Sequence, residues 1–251
     1  MTVTWTATNS FATRNSRGRR VRSRPSVTSV CLVGIPTALA AWFSLKCSPQ
    51  PTRCQHPALL PMLEAARPKL QFRGSYFPQP EADSVSVEGG SKRRLWLAVR
   101  WYGPEDGGIL VLNCAGEVVD AQRVGFTRQI RIGPVLKGVG PTVVVDDEPG
   151  QGTGVRWRET RVLAERGGTI IVLWKATTFE GSYSMPPRGT EIERRVAFSP
   201  DGDRITITSI NRNVEYSDRA NAWTATDSQQ PTSNVLCWSP SALTYLPCSA
   251  Q

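Results

Sequence analysis

From Leu70 onward, short runs rich in Val, Ile, Leu and Trp alternate with clusters of Gly, Pro and Asp. That grammar predicts successive antiparallel strands joined by tight turns. Leu70–Arg73 and Ser84–Val87 are short runs. Leu95–Tyr102 and Ile109–Asn113 read as a hairpin across Gly107-Gly108. Glu117–Val124 and Thr127–Ile132 read as the next pair, broken at Gly125. Thr142–Val145 follows, closed by Asp146-Asp147-Glu148-Pro149-Gly150, and Gly150–Gly154 reads as a glycine-rich loop. Val155–Leu163 and Thr169–Thr178 form a long hairpin across Arg166-Gly167-Gly168. Glu191–Phe198 and Arg204–Ile210 form another across Pro200-Asp201-Gly202, and Glu215–Thr226 is a weaker strand.

Alternation also sorts faces. Ile170, Val172, Trp174 and Ala176 make one apolar face, and Ile171 and Leu173 make the other partly apolar, so this strand is expected at the centre of the core. Its partner Val155–Leu163 carries Arg156, Arg158 and Arg161 and is expected nearer solvent. Ile205 and Ile207 face in, and Thr206 and Thr208 face out. The expected fold class is all-β: an antiparallel meander of about ten strands, as a sandwich, an open barrel or partial propeller-like sheets. The β domain spans 70–230.

Residues 1–41 carry a different pattern. Six arginines from Arg14 to Arg24 precede Val27–Leu45, a run with no charged residue. Basic, apolar and small residues in that order predict an export signal, with Ala38-Leu39-Ala40 matching the site that signal peptidase prefers. The length also reaches that of a spanning helix, but Pro36 and four hydroxyl residues weaken it as an anchor. The remaining chain is expected outside the cytoplasm: periplasmic, secreted, or anchored to the outer face of the membrane. Residues 42–69, with Pro49, Pro51, Pro57, Pro61 and Pro68, read as a linker in which Leu59–Arg67 can form one or two helical turns broken by Pro61 and Pro68, because proline fixes φ and removes donors.

The cysteines agree with export. The simplest arrangement is two local bridges, Cys47–Cys54 and Cys237–Cys248, with Cys114 free and buried. The bridge at Cys237 and Cys248 would tie a C-terminal tail over 231–251, where two prolines argue against a strand.

The net charge of +9 invites a nucleic-acid partner. Without residues 1–40, which hold six arginines and no acid, the balance falls to +3. A phosphate-binding stripe would then have to come from clustering, so no nucleic-acid partner is expected.

Phe198-Ser199-Pro200-Asp201-Gly202-Asp203-Arg204-Ile205 resembles the hairpin of TolB-like β-propeller repeats. There an aromatic ends one strand, Pro-Asp-Gly turns, and an apolar residue opens the next. One copy is present, covering eight residues, and no family function follows from it.

Candidate chemistry is sparse. His56 is the single histidine, which removes Ser-His-Asp, Cys-His and multi-histidine zinc arrangements unless it folds back onto the β domain. Asp146-Asp147-Glu148, or Asp201 with Asp203, offer oxygens to a hard cation but lack the spacing of a known loop. Carboxylate pairs for hydrolysis can be drawn from Asp146, Glu159, Glu180 or Glu193. Gly150–Gly154 lacks the lysine and helix of a phosphate cradle. Trp101, Tyr102, Trp157 and Tyr183 are the candidate ligand platform.

The resulting expectation is an exported, bacterial-type, cofactor-free binding or structural module, with an envelope protein or glycan as partner and membrane contact through the N-terminal segment only. Alternatives are a secreted carboxylate-dependent hydrolase and an envelope-assembly subunit that pairs through a β-edge. Mass spectrometry of the mature protein should find an N-terminus near Ala41; a full-length cytosolic product would overturn the export reading.

Overall fold

A computed structural model of the chain describes residues 58–72, 80–89, 92–101, 107–152, 154–183 and 188–248. The chain divides into units Met1–Ser48 and Pro49–Gln251, and every described residue belongs to the second. The export segment 1–41, the Cys47–Cys54 bridge, His56 and Tyr102 lie outside the described residues.

The described residues form one helix and thirteen strands in two antiparallel sheets. The helix α1 is Leu59–Leu70. The first sheet holds β1 (Glu81–Gly89), β2 (Lys92–Arg100), β3 (Gly107–Leu112) and β4 (Val118–Val124), each paired with the next. The second continues through β5 (Phe126–Leu136), β6 (Gly140–Gly152), β7 (Val155–Arg166), β8 (Thr169–Tyr183), β9 (Arg188–Phe198) and β10 (Arg204–Ser217). There β10 pairs with both β11 (Ala222–Ser228) and β12 (Thr232–Ser239), and β12 pairs with β13 (Thr244–Pro247). The fold is the all-β meander that the alternation predicts, built as two packed sheets.

The proline-rich linker over 42–69 is corrected in its described part. Pro61 sits in the first turn of α1, where an N–H has no helical partner in any case. Pro68 sits in the last turn, and the helix stops at Gln71, φ 52°, whose N–H bonds the Pro68 carbonyl at 3.2 Å. Leu70 is therefore the end of a helix, not the start of a strand. Met62, Leu63, Ala66 and Leu70 share one face and are buried against Leu95, Leu97, Val99, Leu110 and Leu112 of the first sheet.

The opposite face of that sheet meets the second sheet. Trp96, Ala98, Ile109 and Val111 pack against Ile130, Val143, Val145, Leu163 and Ile170. β2 and β3 are thus covered on both sides, which explains their unbroken apolar sequence. Gly107-Gly108, expected as the turn, lie inside β3. A side chain on Gly108 would strike Leu70 Cδ2 at 2.6 Å, and one on Gly107 would strike the Gly125 carbonyl at 2.2 Å. The pair permits close layer packing rather than chain reversal.

β4 and β5 do not pair with each other. β4 pairs with β3 and β5 with β6, and the chain changes sheets at Gly125. A Cβ there would lie 2.3 Å from both the Glu148 carbonyl oxygen and Pro149 Cα.

The second sheet curls so that its own far face becomes a third core. Leu136, Val144, Val162, Leu173 and Trp174 pack with Ile205, Trp238 and Tyr245. Trp238 Nε1 donates to the Lys137 carbonyl at 3.0 Å, and Tyr245 Oη donates to the Gly202 carbonyl at 2.6 Å. The expected strand faces need one correction. A bulge sets Val162 opposite Trp174 and Leu163 opposite Val172, leaving Leu173 unpaired. Leu173 and Trp174 are both buried while Val172 is 41% exposed. The partner strand β7 is not the solvent-side one throughout, since Val162, Leu163 and Ala164 are buried.

Glu215–Thr226, expected as one strand, divides into the end of β10, a turn with Asn221 at φ 47°, and β11. The C-terminal tail over 231–251 is likewise corrected. Its described part forms β12 and β13, with Pro240 in the turn and Pro247 on the last, outermost strand, where a missing donor is tolerated. Cys237 and Cys248 lie at disulfide distance, Cα atoms 4.9 Å apart. Cys114, expected free, is disulfide-bonded.

Trp174 contacts Tyr245 edge to face at 6.5 Å. Trp174→Ala should cost about 3–5 kcal/mol of stability. Val172→Ala, two residues away and exposed, should cost about 1 kcal/mol or less. Equal denaturation midpoints for the two variants would refute this placement of the core.

Candidate functional site

The acidic triplet expected to close the Thr142–Val145 strand runs inside β6, and Asp147 and Glu148 are buried. Acids are poor strand residues on intrinsic grounds. They are tolerated here because neighbouring strands supply cations. Asp147 accepts the Gly125 N–H at 2.9 Å and Arg161 Nε at 3.1 Å. Glu148 accepts Arg128 Nε at 2.6 Å and Arg156 Nε at 2.5 Å. Asp146 pairs with Arg131 and accepts Thr160 Oγ1 at 2.6 Å. Burial pushes the Asp147 carboxyl above its usual value, against the pull of Arg161. Burial pushes Glu148 the same way, but the hydrogen bonds from Arg156 and Arg128 prevail and hold it below.

Beside this ladder the second sheet opens into a groove of about 670 Å³. Its lining includes Arg128, Arg131, Arg158, Arg194 and Arg195 against two carboxylates, Asp146 and Glu193. A second hollow of about 470 Å³ shares Arg194 and is lined by polar residues, among them Thr177, Glu180, Ser209 and Asn234, together with Ala176 and Ile207. The opening has a cause in the ladder. β8 and β9 pair over five residue pairs only, Phe179–Tyr183 with Gly189–Glu193. A bulge on β8 sets Arg158 opposite Phe179 and Glu159 opposite Thr177, leaving Thr178 unpaired immediately before β9 leaves the strand. Bulges bend a strand and terminate pairing.

Arg158 is the unusual member. Its guanidinium carbon lies 4.5 Å from the Phe179 ring centre, a cation–π contact. Its Nε is buried and has no hydrogen-bond partner among the described residues. Burial first, and the neighbouring Arg128 and Arg156 next, push its pKa down.

The described aromatic residues of the expected ligand platform, Trp101, Trp157 and Tyr183, lie in different settings. Trp101 is core, 2% exposed and edge-on to Phe72 at 5.4 Å. Trp157 is half-buried on β7. Tyr183 stacks on Trp223 at 4.7 Å and donates its hydroxyl to Glu191 at 3.0 Å. Burial and Glu191 push the Tyr183 pKa up to about 12. Gly181 and Gly189 make room for its ring, since a Cβ on either would lie within 3 Å of it. The hydrolase candidates are all held by arginine: Glu159 by Arg161 at 2.7 Å, Glu193 by Arg212 at 2.8 Å, and Glu180 by Arg194 at 3.9 Å. Asp201 is a turn residue, accepting Ser199 Oγ at 2.5 Å and the Asp203 N–H at 3.1 Å. Among the described residues no group of three or more His, Cys, Asp or Glu could hold a metal ion.

The groove was missed in sequence because charge was counted, not placed. Arg156-x-Arg158, Arg128-x-x-Arg131 and Arg194-Arg195 are visible as a pattern, but only the order of strands sets them side by side. Comparison with family models, with curated proteins and with solved structures finds no match.

Glu148 makes the ladder testable. Its carboxyl is held below 4.5, so the stability it contributes is complete above 4.5 and is lost as pH falls through the lower folded value. Glu148→Gln should therefore be less stable than the parent at neutral pH, with the gap closing as pH falls below 4.5. Denaturant midpoints across pH check this; a gap that widens in acid would contradict it.

Proposed function

We propose that this chain is an exported, non-catalytic binding module that takes an anionic ligand in the arginine-lined groove of the second sheet. The observation that carries the reading is Arg158. A buried guanidinium nitrogen without an acceptor is unfavourable in the free protein, and an anion in the groove would supply the missing acceptor. The groove arginines outnumber its carboxylates, so the local field also favours an anion. A hydrolytic reading is weaker because the groove's own carboxylates, Asp146 and Glu193, are engaged by Arg131 and Arg212. An assembly role through the outer strand β5 is weaker too. The outer strand β5 carries Arg128, Arg131, Pro134 and two register shifts, devices that discourage strand addition. Export is supported by the Cys237–Cys248 pair and the bonded Cys114, which suit an oxidising compartment. Among the described residues no helix is long and apolar enough to cross a membrane.

Arg158→Met keeps most of the side-chain volume and removes the buried charge. The free variant should melt at the parent temperature or above it, because an uncompensated cation is gone. Calorimetric titration with polyglutamate and with inorganic pyrophosphate should show binding to the parent that weakens with added salt and is reduced about tenfold or more in Arg158→Met. A parent that binds neither anion, or a variant that binds both equally well, would overturn the reading.

A further inference from the structure

We infer that the groove's ligand is an extended acidic peptide, which adds as a short strand to the free edge of β8 where β8 and β9 diverge. The inference rests on the groove being an anion site and names what occupies it.

The first ground is backbone. Beyond Glu193, β9 continues through Arg194–Phe198 laddered to β10 alone, and before Phe179 the Thr169–Thr178 part of β8 is laddered to β7 alone. Each strand therefore turns one unladdered edge toward the other. The inner part of this fork is filled: Leu173, Trp174 and Tyr245 are buried there, with Val196 and Phe198 packed against them. The part left open is the mouth, where Ala176 and Thr177 of β8 and Arg194 of β9 line the hollow.

The second ground is a substitute bond at that mouth. Arg194 Nη1 donates to the Thr177 carbonyl at 3.2 Å. A strand carbonyl that a neighbouring N–H would ordinarily satisfy is met here by a side chain from the diverging strand. Side chains of this length can withdraw and release the carbonyl to an incoming N–H.

The third ground is charge and periodicity. An extended peptide with acids at every second position presents them on one face. In the groove that face meets Arg158 and the neighbouring arginines, while the peptide backbone continues the ladder on β8. Strand addition of this kind draws affinity from main-chain bonds and selectivity from alternate side chains.

The linings also argue against the other anionic polymers. Neither hollow is lined by an aromatic ring. Sugar platforms and single-stranded nucleic acids both depend on such rings for stacking. A free phosphate would engage the arginines and leave the strand edge unladdered.

The test uses the full chain and a blocked peptide of alternating Glu and Val, compared with the same peptide N-methylated at every second residue. The comparison set is oligogalacturonate, oligothymidylate and inorganic phosphate at matched charge. The parent peptide should bind tightest. N-methylation on the edge that faces β8 should weaken it about tenfold or more, the loss expected from one or two ladder bonds. Hydrogen exchange across Lys175–Thr178 should slow on binding. If N-methylation is without effect, or if oligogalacturonate or oligothymidylate binds as tightly as the peptide, strand addition is refuted and the anion site survives. If none of the anions binds, both readings fail together.

Discussion

The structure depends on one buried carboxylate. Asp147 stands where the chain passes from the first sheet to the second, and it accepts the N–H of the crossing residue, Gly125. Without that acceptor, a backbone donor would be stranded between two layers. Burying the carboxylate is itself unfavourable, as its raised pKa records, and Arg161 offsets part of the penalty. Gly125 is required for a separate reason: the Glu148 and Pro149 backbone occupies the space of any side chain. The crossing, the contact between the sheets and the placement of β6 are therefore coupled through two residues.

From β6 the same logic spreads sideways. Once three consecutive acids are committed to a strand, cations must come from the strands on either side, and β5 and β7 provide them. The arginines that line the groove are more numerous than the acids that face it, and Arg158 Nε is left without a hydrogen-bond partner among the described residues. The bulge at Thr178 then bends β8 away from β9 and exposes this surplus instead of covering it. A feature that begins as a structural necessity ends as an electropositive opening.

Much of the fold was legible because the alternation of apolar residues and the turn residues agree. Gly167-Gly168, both at positive φ, and Pro200-Asp201-Gly202 mark reversals that the structure reproduces. The misreadings fall where tertiary contacts override local pattern. Gly107-Gly108 carry turn chemistry but serve close packing. Asp146-Asp147-Glu148 carry loop chemistry but sit in a strand because arginines distant in sequence neutralise them. Pro61 and Pro68 suggest a linker but lie within a helix that buries four residues. Of the candidate site only the carboxylates Asp146 and Glu193 were legible, and its arginine lining was not. It is made by strand divergence, and a bulge leaves no trace in an alternation that tolerates one extra residue.

The third core has a consequence for how the protein is made. It joins Lys137 to Trp238, residues 101 apart, and closes over Trp174 only when Tyr245 arrives. Contacts of such span form slowly, because the intervening chain must first be ordered. A chain emerging from its N-terminal end can build the helix-covered sheet and its partner strands early, from contacts with α1 and between neighbouring hairpins. The apolar surface around Trp174, Val162 and Leu173 waits for the last strands. During synthesis, that surface is the part of the nascent chain most in need of protection from aggregation.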